Sequence, residues 1–562
     1  MPRGVFATAA TAGLLLLDSL VQARHFRGRV DDQCSTSPAD RVDCGATVGA
    51  NQQSCENGGC CWNPVQPNPH NYPWCFHKQG STPSPAVSPA PAVPPAPAVS
   101  PAPSVSPSPS SPAPSGPYDT TGKAFVHLFE WSWSDVAEEC EQYLGPSGFD
   151  AVQISPPMEH ITGDQWWTRY QPVSYDLVSR SGNQDEMQDM ITRCKKAGVE
   201  IYADSVINHM AAGSGTGING HSFGGRSFPG LYTQDDFHHD DNDKSSNCVI
   251  DNYADQHNVQ YCDLDGLPDL CTGCDDVQQI LGAYLKKMAG MGVSGFRIDA
   301  AKHQEADQLG GAIAKSGISD SHFFFHEVIE GANEAVTPDM YFTLGQVTEF
   351  DFGQTVGQAF KNQDLSQLSN LASNLFESDK AVVFIDNHDT QRGNAPLTYK
   401  DKQPYILATV FMLGHPYGHP KVMSSYEFST HDQGPPSSPV HSGSNLNCGQ
   451  GQWVCEHRNP LIAPMMGFRK ATGTDAVGNF VTGQSNAAAA FSRGKSGFLA
   501  VNLANNDWSS TFNSDLVRAL CFVCARDSRP TMVVIVSDYV CLGVGCWIIQ
   551  RYILRKQSNS KR

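Results

Sequence analysis

Short apolar runs separated by amphipathic stretches dominate the chain from Ala124 to Ser425. The runs Ala124–Glu130, Ala151–Ser155, Glu200–Ile207, Gly295–Asp299, Phe323–Val328, Val347–Phe352, Ala381–Asp386 and Lys421–Ser425 read as strands. They are short and rich in β-branched and aromatic residues, and two of them end in Asp. Helical patterns, among them Asp276–Met291, fill most of the intervals. Strands and helices alternating in this way predict an α/β protein with a (β/α)8 barrel over 118–471. The interval 208–274 breaks the rhythm: it is rich in Gly, Asp and His, carries four Cys, and is too long for a βα loop, so it predicts an inserted subdomain. After Thr472 the runs Phe480–Thr482, Ala487–Ser492 and Phe498–Asn502 predict a separate antiparallel module over 472–525.

The ends of the chain have other patterns. Arg3, the apolar run Val5–Leu17 and the small-residue pattern at Val21-Gln-Ala23 predict a leader over 1–23, with a signal anchor as the alternative. A secreted chain with eighteen Cys favours disulfides over metal or redox chemistry. Between Cys34 and Cys75 six Cys are spaced C-x9-C-x10-C-x4-C-C-x13-C, in a region (30–79) with too few apolar positions for its own core. Spacing alone leaves open all fifteen pairings of these six. Residues 80–117 are almost wholly Pro, Ala, Ser and Val, a semi-rigid polyproline-type linker. The tail 526–562 contains the apolar run Thr531–Ile549 followed by basic residues. It reads either as a membrane anchor, with Asp538 costing roughly 3 kcal/mol inside it, or as an error in the gene model.

The net charge of −19 supplies no basic footprint for nucleic acid or anionic lipid, and it is compatible with a neutral substrate. In a barrel the C-terminal strand ends share one face, so polar residues ending different strands converge. Strand three ends Asp204-Ser-Val-Ile-Asn-His209, strand four holds Asp299, strand five ends His326-Glu327, and strand seven ends Asp386-Asn-His-Asp389. A site rich in carboxylates results, and carboxylate pairs cleave glycosidic bonds. Arg297 lies on the same side of its strand as Asp299 and holds it ionised. Trp166, Trp167 and Tyr170 sit in a polar loop whose period would not bury both indoles, so they read as an exposed sugar-stacking group.

The segments Asp204–His209, Gly295–His303, Phe325–Ile329 and Phe384–Asp389 resemble the four signature regions of the α-amylase family of glycoside hydrolases, especially its animal and actinobacterial secreted members. Phe129-Glu-Trp131, Gln165–Pro172, His415–Gly418 and Trp453–His457 extend the likeness. The resemblance implies that Asp299 is the nucleophile, Glu327 the acid/base and Asp389 a binder of the distorted sugar, in retaining hydrolysis of internal α-1,4 bonds of starch or glycogen by a monomer. In that role Glu327 holds its proton near neutral pH, with Asp299 and Asp389 supplying the negative charge that raises it. A glucan transglycosylase and a catalytically silent glycan-binding protein are the alternatives.

By the same resemblance, Gln171, His209, Arg297, Lys302, His303 and His388 contact substrate or orient the acids. Calcium is held by Asn208 and Asp269 side chains and by Gln260 and His303 carbonyls. Chloride is held by Arg297, Asn387 and Lys421, the last standing where an Arg is usual. The pairs Cys140–Cys194, Cys248–Cys262 and Cys448–Cys455 are implied, leaving Cys271 and Cys274, read as an extra disulfide, and Cys521, Cys524, Cys541 and Cys546 unassigned. Arg41–Gly45, Cys60-Cys-Trp62 and Tyr72–Phe76 resemble a trefoil (P-type) module, which implies the bridges Cys34–Cys61, Cys44–Cys60 and Cys55–Cys75 and a glycan contact at Trp74.

Overall fold

The computed structural model describes residues 61–62, 75–76, 118–239, 248–443, 445–449, 451–483, 485–504 and 508–510, and the backbone of three later segments, 520–524, 533–536 and 552–554. The leader, the linker, Trp74, the pairing of the trefoil cysteines and most of the tail lie outside the described residues. Of the N-terminal unit, Cys61–Trp62 pairs antiparallel with Cys75–Phe76, and Cys61 is disulfide-bonded.

In the larger unit eight parallel strands close into a barrel. They are β1 (Phe125–Leu128), β2 (Ala151–Ile154), β3 (Glu200–Ser205), β4 (Gly295–Ile298), β5 (Phe323–His326), β6 (Gln346–Glu349), β7 (Ala381–Val383) and β8 (His419–Ser424). Each pairs with the next, and β8 pairs with β1 to close the ring. Nearly every strand residue is buried, as expected where one face meets the barrel interior and the other a helix. The sixth strand ends earlier than its apolar pattern predicts: Phe350–Phe352 already belong to the following helix, where the Glu349 side chain accepts from the Asp351 N–H as a cap.

The principal helices are α1 (Trp133–Glu139), α2 (Gln184–Lys196), α3 (Asp275–Met291), α4 (Ala306–Ser316), α5 (Phe350–Lys361), α6 (Gln403–Gly414) and α7 (Met465–Thr472). In α2 the buried Met187, Met190, Ile191 and Cys194 repeat at helical spacing, and Asn183 with Glu186 forms a capping box. Gly295 opens β4 because a side chain has no room there: a Cβ would lie 2.7 Å from the Tyr202 ring and 3.0 Å from the Phe323 carbonyl oxygen.

Disulfides join Cys140 to Cys194, Cys248 to Cys262, Cys271 to Cys274 and Cys448 to Cys455. The first ties the end of α1 to α2, and the third sits immediately before α3. Beyond α7, β9 (Val477–Thr482), β10 (Ala488–Arg493), β11 (Gly497–Asn502), β12 (Leu520–Cys524) and β13 (Val533–Val536) form an antiparallel sheet in the order β9-β10-β11-β13-β12. Part of the apolar run beginning at Thr531 is therefore strand. Among the described residues no helix is long and apolar enough to cross a membrane.

Candidate active site

Strand β4 delivers Arg297 and Asp299 to the C-terminal end of the barrel, and the turn after it brings in a backbone donor. Arg297 is 1 % exposed and acts as a hub. Its Nη1 donates to Asp204 Oδ1 at 2.6 Å and to Asp299 Oδ1 at 2.8 Å. Its Nη2 lies 2.5 Å from Glu327 Oε1, out of line for a hydrogen bond. Ala300, at the left-handed φ of 48°, turns its N–H onto Glu327 Oε2 at 3.0 Å. A non-glycine residue held there is strain of the kind that clusters at working sites. Asp204 is further bound by the Tyr170 hydroxyl at 3.0 Å.

After β7, Asn387 Oδ1 accepts from the N–H groups of Asp389 and Thr390, which fixes the turn. Asp389 then stands 3.2 Å from His388 Nε2 with 43 % of its side chain exposed, whereas Asp299 and Glu327 keep only 9 % and 12 %. The strand ends thus assemble four acids, Asp204, Asp299, Glu327 and Asp389, around one guanidinium.

Burial, then the Glu327 and Asp204 charges, push the Asp299 carboxyl well up against the pull of Arg297. Burial also raises Asp204. Burial and the Glu327 charge carry Asp389 to about 7, a push that solvent partly screens at its open side. Glu327 goes the other way: burial opposes, but Arg297 and the Ala300 N–H together draw it below the usual carboxylate range. This differs from the expectation that Glu327 keeps the proton, because the guanidinium and the Ala300 donor favour its anion. Any proton held here belongs to the coupled group. Burial keeps His209 and His326 neutral, at about 4.

The aromatic loop is a turn of 3-10 helix, Trp166–Tyr170. Contrary to its expected exposure, Trp166 is buried at 7 %. Its N–H donates to the His431 carbonyl at 3.0 Å, and its ring meets Tyr170 and His388 edge to face. Trp167 and Tyr170 stay half-buried, and Tyr170 stacks on His388. The missed organiser of this wall is Arg392, three residues past Asp389. It donates to the His388 carbonyl at 2.6 Å and packs against the rings of Phe129, Trp166, Tyr426 and Phe428.

Gln171 Oε1 accepts from the Ala212 N–H, and His209 Nε2 bonds the Tyr170 carbonyl. Lys302 reaches the Ile329 carbonyl and Glu334 and lies over the Tyr253 ring. Its ammonium is therefore engaged on the rim.

Asn208 ends the β3 segment, and its carbonyl accepts from the Leu270 N–H, one residue past Asp269. The oxygens Asn208 Oδ1 and Asp269 Oδ1 are buried with no hydrogen-bond partner among the described residues. His303 Nδ1 meets the Val259 carbonyl at 3.0 Å, and Gln260 Nε2 donates to the Gln304 carbonyl at 3.3 Å. Hard oxygen donors buried without a partner fit calcium. Another grouping, Glu159, Asp176 and His221, has metal-ligand spacing. There the Glu159 oxygens are already taken by Ser174, Asn219 and His221. Lys421 is buried, 4.7 Å from the Phe384 ring centre. Burial and the Arg297 charge lower it to about 8.

Two family models match the chain: Trefoil (P-type) domain over 34–78 and Alpha amylase, catalytic domain over 136–351. The α-amylase of Tenebrio molitor is 44 % identical over 407 residues, 67 % of this chain and 83 % of that one. The α-amylase of Thermomonospora curvata is 42 % identical over 424 residues, covering 72 % and 67 %. A crystal structure of a mutant of α-amylase I from Eisenia fetida, in complex with maltohexaose, superposes with a TM-score of 0.68 at 32 % identity, covering 78 % of this chain and 98 % of that one. The chain is accordingly a glycoside hydrolase that belongs to the α-amylase family, with a trefoil module preceding its catalytic barrel.

Proposed function

We propose that this α-amylase is a secreted, endo-acting enzyme that hydrolyses internal α-1,4 bonds of starch or glycogen with retention of configuration. The observation that carries the reading is the convergence of Asp299, Glu327 and Asp389 at three strand ends, two of them on one guanidinium. A carboxylate Oδ of Asp299 attacks the anomeric carbon as the glycosidic C–O bond breaks, and Glu327 gives its proton to the leaving oxygen. Glu327 then takes a proton from water, whose oxygen attacks the same carbon and frees Asp299. Asp389, open on one side, binds the hydroxyls of the distorted sugar.

Trp167 and Tyr170 offer ring faces to neighbouring glucose units, while Trp166 stiffens the wall behind them. His209, His303, His388, Gln171 and Lys302 line or brace the cleft. The maltohexaose bound by the Eisenia fetida relative supports a maltooligosaccharide ligand.

Asn208 and Asp269 would hold calcium through side chains and Gln260 and His303 through carbonyls, supplying a cross-link between the insertion and the barrel. Arg297, Asn387 and Lys421 would hold chloride, supplying a negative charge beside the acids. Lys421 contributes a point charge where a guanidinium would give a fork, so anion binding is weak and Lys421→Arg strengthens it.

Glu327→Gln is the test. Reducing-sugar release from soluble starch should fall by about three orders of magnitude or more, and the parent's first product should carry the α anomer by NMR. Near-parental activity of Glu327→Gln would overturn the assignment.

A further inference from the structure

A cavity of about 480 Å³ opens at the end of the barrel opposite the carboxylates. It is built on the first residues of β5 and β6, on the turn before β6, and on the segment Tyr118–Thr121 that leads into β1. Its volume falls within the roughly 300–1,000 Å³ of small-molecule sites. The four-residue strands β5 and β6 put about 13 Å of barrel between it and the catalytic acids, so it is separate from that cleft.

The lining selects the ligand. Tyr118 and Phe342 are half-buried rings at the wall. Gln346, 8 % exposed, is fixed through Nε2 to Thr120 Oγ1 at 3.3 Å and to the Asp379 carbonyl at 2.9 Å, and its Oε1 has no partner among the described residues. The Asp379 carboxylate stands exposed at the rim. The cation of the lining, Lys380, spends its ammonium on the Phe342 carbonyl at 3.0 Å. Acceptor oxygens beside aromatic rings, with the ammonium engaged, disfavour an anion and suit a neutral polyol: C–H faces lie on a ring while hydroxyls donate to amide and carboxylate oxygens.

We propose that this cavity is a second, non-catalytic binding site for the end of a neutral α-glucan chain. The choice of glucan rests on the proposed function, since starch or glycogen is the polyol this protein meets at high local concentration. Such a site anchors the barrel on a particle while the opposite face works on other chains.

The test is adsorption of the full chain to raw starch granules, measured by depletion, for the parent, Phe342→Ala and Thr343→Trp. The first variant removes a ring and the second fills the mouth from an exposed position. Both should weaken granule adsorption, Phe342→Ala by about fivefold, with soluble-starch turnover unchanged. Parental adsorption by both variants would overturn the site, as would adsorption and soluble turnover falling together. The catalytic acids are intact in all three proteins, so hydrolysis of soluble starch by the parent reports separately on the catalytic reading.

Discussion

Replacing Arg297 by Gln removes the charge on which the acid cluster is balanced. Arg297 Nη1 touches Asp299 at 2.8 Å and Asp204 at 2.6 Å. Two unit charges about 4 Å apart at an effective dielectric of about 20 attract by roughly 4 kcal/mol. Losing that attraction lets burial and the neighbouring carboxylate charges push the Asp299 carboxyl still further up. At neutral pH the ionised form of the proposed nucleophile becomes rarer, and kcat/KM on soluble starch should fall by about 100- to 1,000-fold. The sign of the pH effect is fixed: a carboxyl pushed higher needs a higher pH to ionise, so the acidic limb of the rate profile moves to higher pH. Leaving three acids without their cation also destabilises the fold by about 3–5 kcal/mol, so assays belong at a temperature where near-UV circular dichroism shows native packing. Arg297→Lys keeps the charge, loses the fork, and should fall between the two. A folded Arg297→Gln within about fivefold of the parent, with its acidic limb unmoved, would refute the hub.

Glu456 is 4 % exposed, and burial raises it to about 7 from an ordinary 4.5. The folded state therefore retains a proton that the unfolded chain loses between these values, and stability falls by about 3 kcal/mol as pH rises through that window. Thermal melts of Glu456→Gln should show a smaller drop between pH 5 and pH 8 than the parent's. A chelator should lower the parent's melting temperature in calorimetry and leave that of Asp269→Asn little changed; equal responses would remove Asp269 from the proposed calcium site. Cys140–Cys194 closes a separation of 54 residues and Cys271–Cys274 one of 3. Loop-closure entropy assigns them about 4 and about 2 kcal/mol, so denaturant unfolding should show the first double Cys→Ala variant losing about twice as much.

The barrel was legible because parallel strands covered on both faces must be apolar throughout, and runs such as Phe323–Phe325 carry that signature in sequence. Strand limits were less legible where an apolar run crosses a boundary. Val347–Phe352 reads continuously, yet Glu349 turns from strand residue to helix cap, a change that a hydrogen bond decides and hydropathy does not. The run from Thr531 showed the opposite ambiguity. Its length suggested a bilayer span, while Val533–Val536 finds a partner in β11, which no local property of the run reveals.

The acids were legible one by one as strand endings, and their grouping followed from barrel geometry. What sequence could not give was the distribution of protons. Spacing reveals that Asp204, Asp299, Glu327 and Asp389 meet, but the balance depends on where one guanidinium points and on the N–H of Ala300, whose left-handed backbone leaves no mark in its side chain. Trp166 was misread for a similar reason: its burial is created by His388, Arg392 and the His431 carbonyl, which are distant in sequence. The balance bears on the proposed chemistry. Arg297 and Ala300 hold Glu327 toward its anion while burial raises Asp299 and Asp389, the reverse of what attack requires. An anomeric carbon gaining positive charge beside Asp299 favours that carboxylate's anion, and a leaving oxygen against Glu327 favours its protonated form. The charge development of the reaction thus moves the shared proton onto Glu327 at the point where it is used.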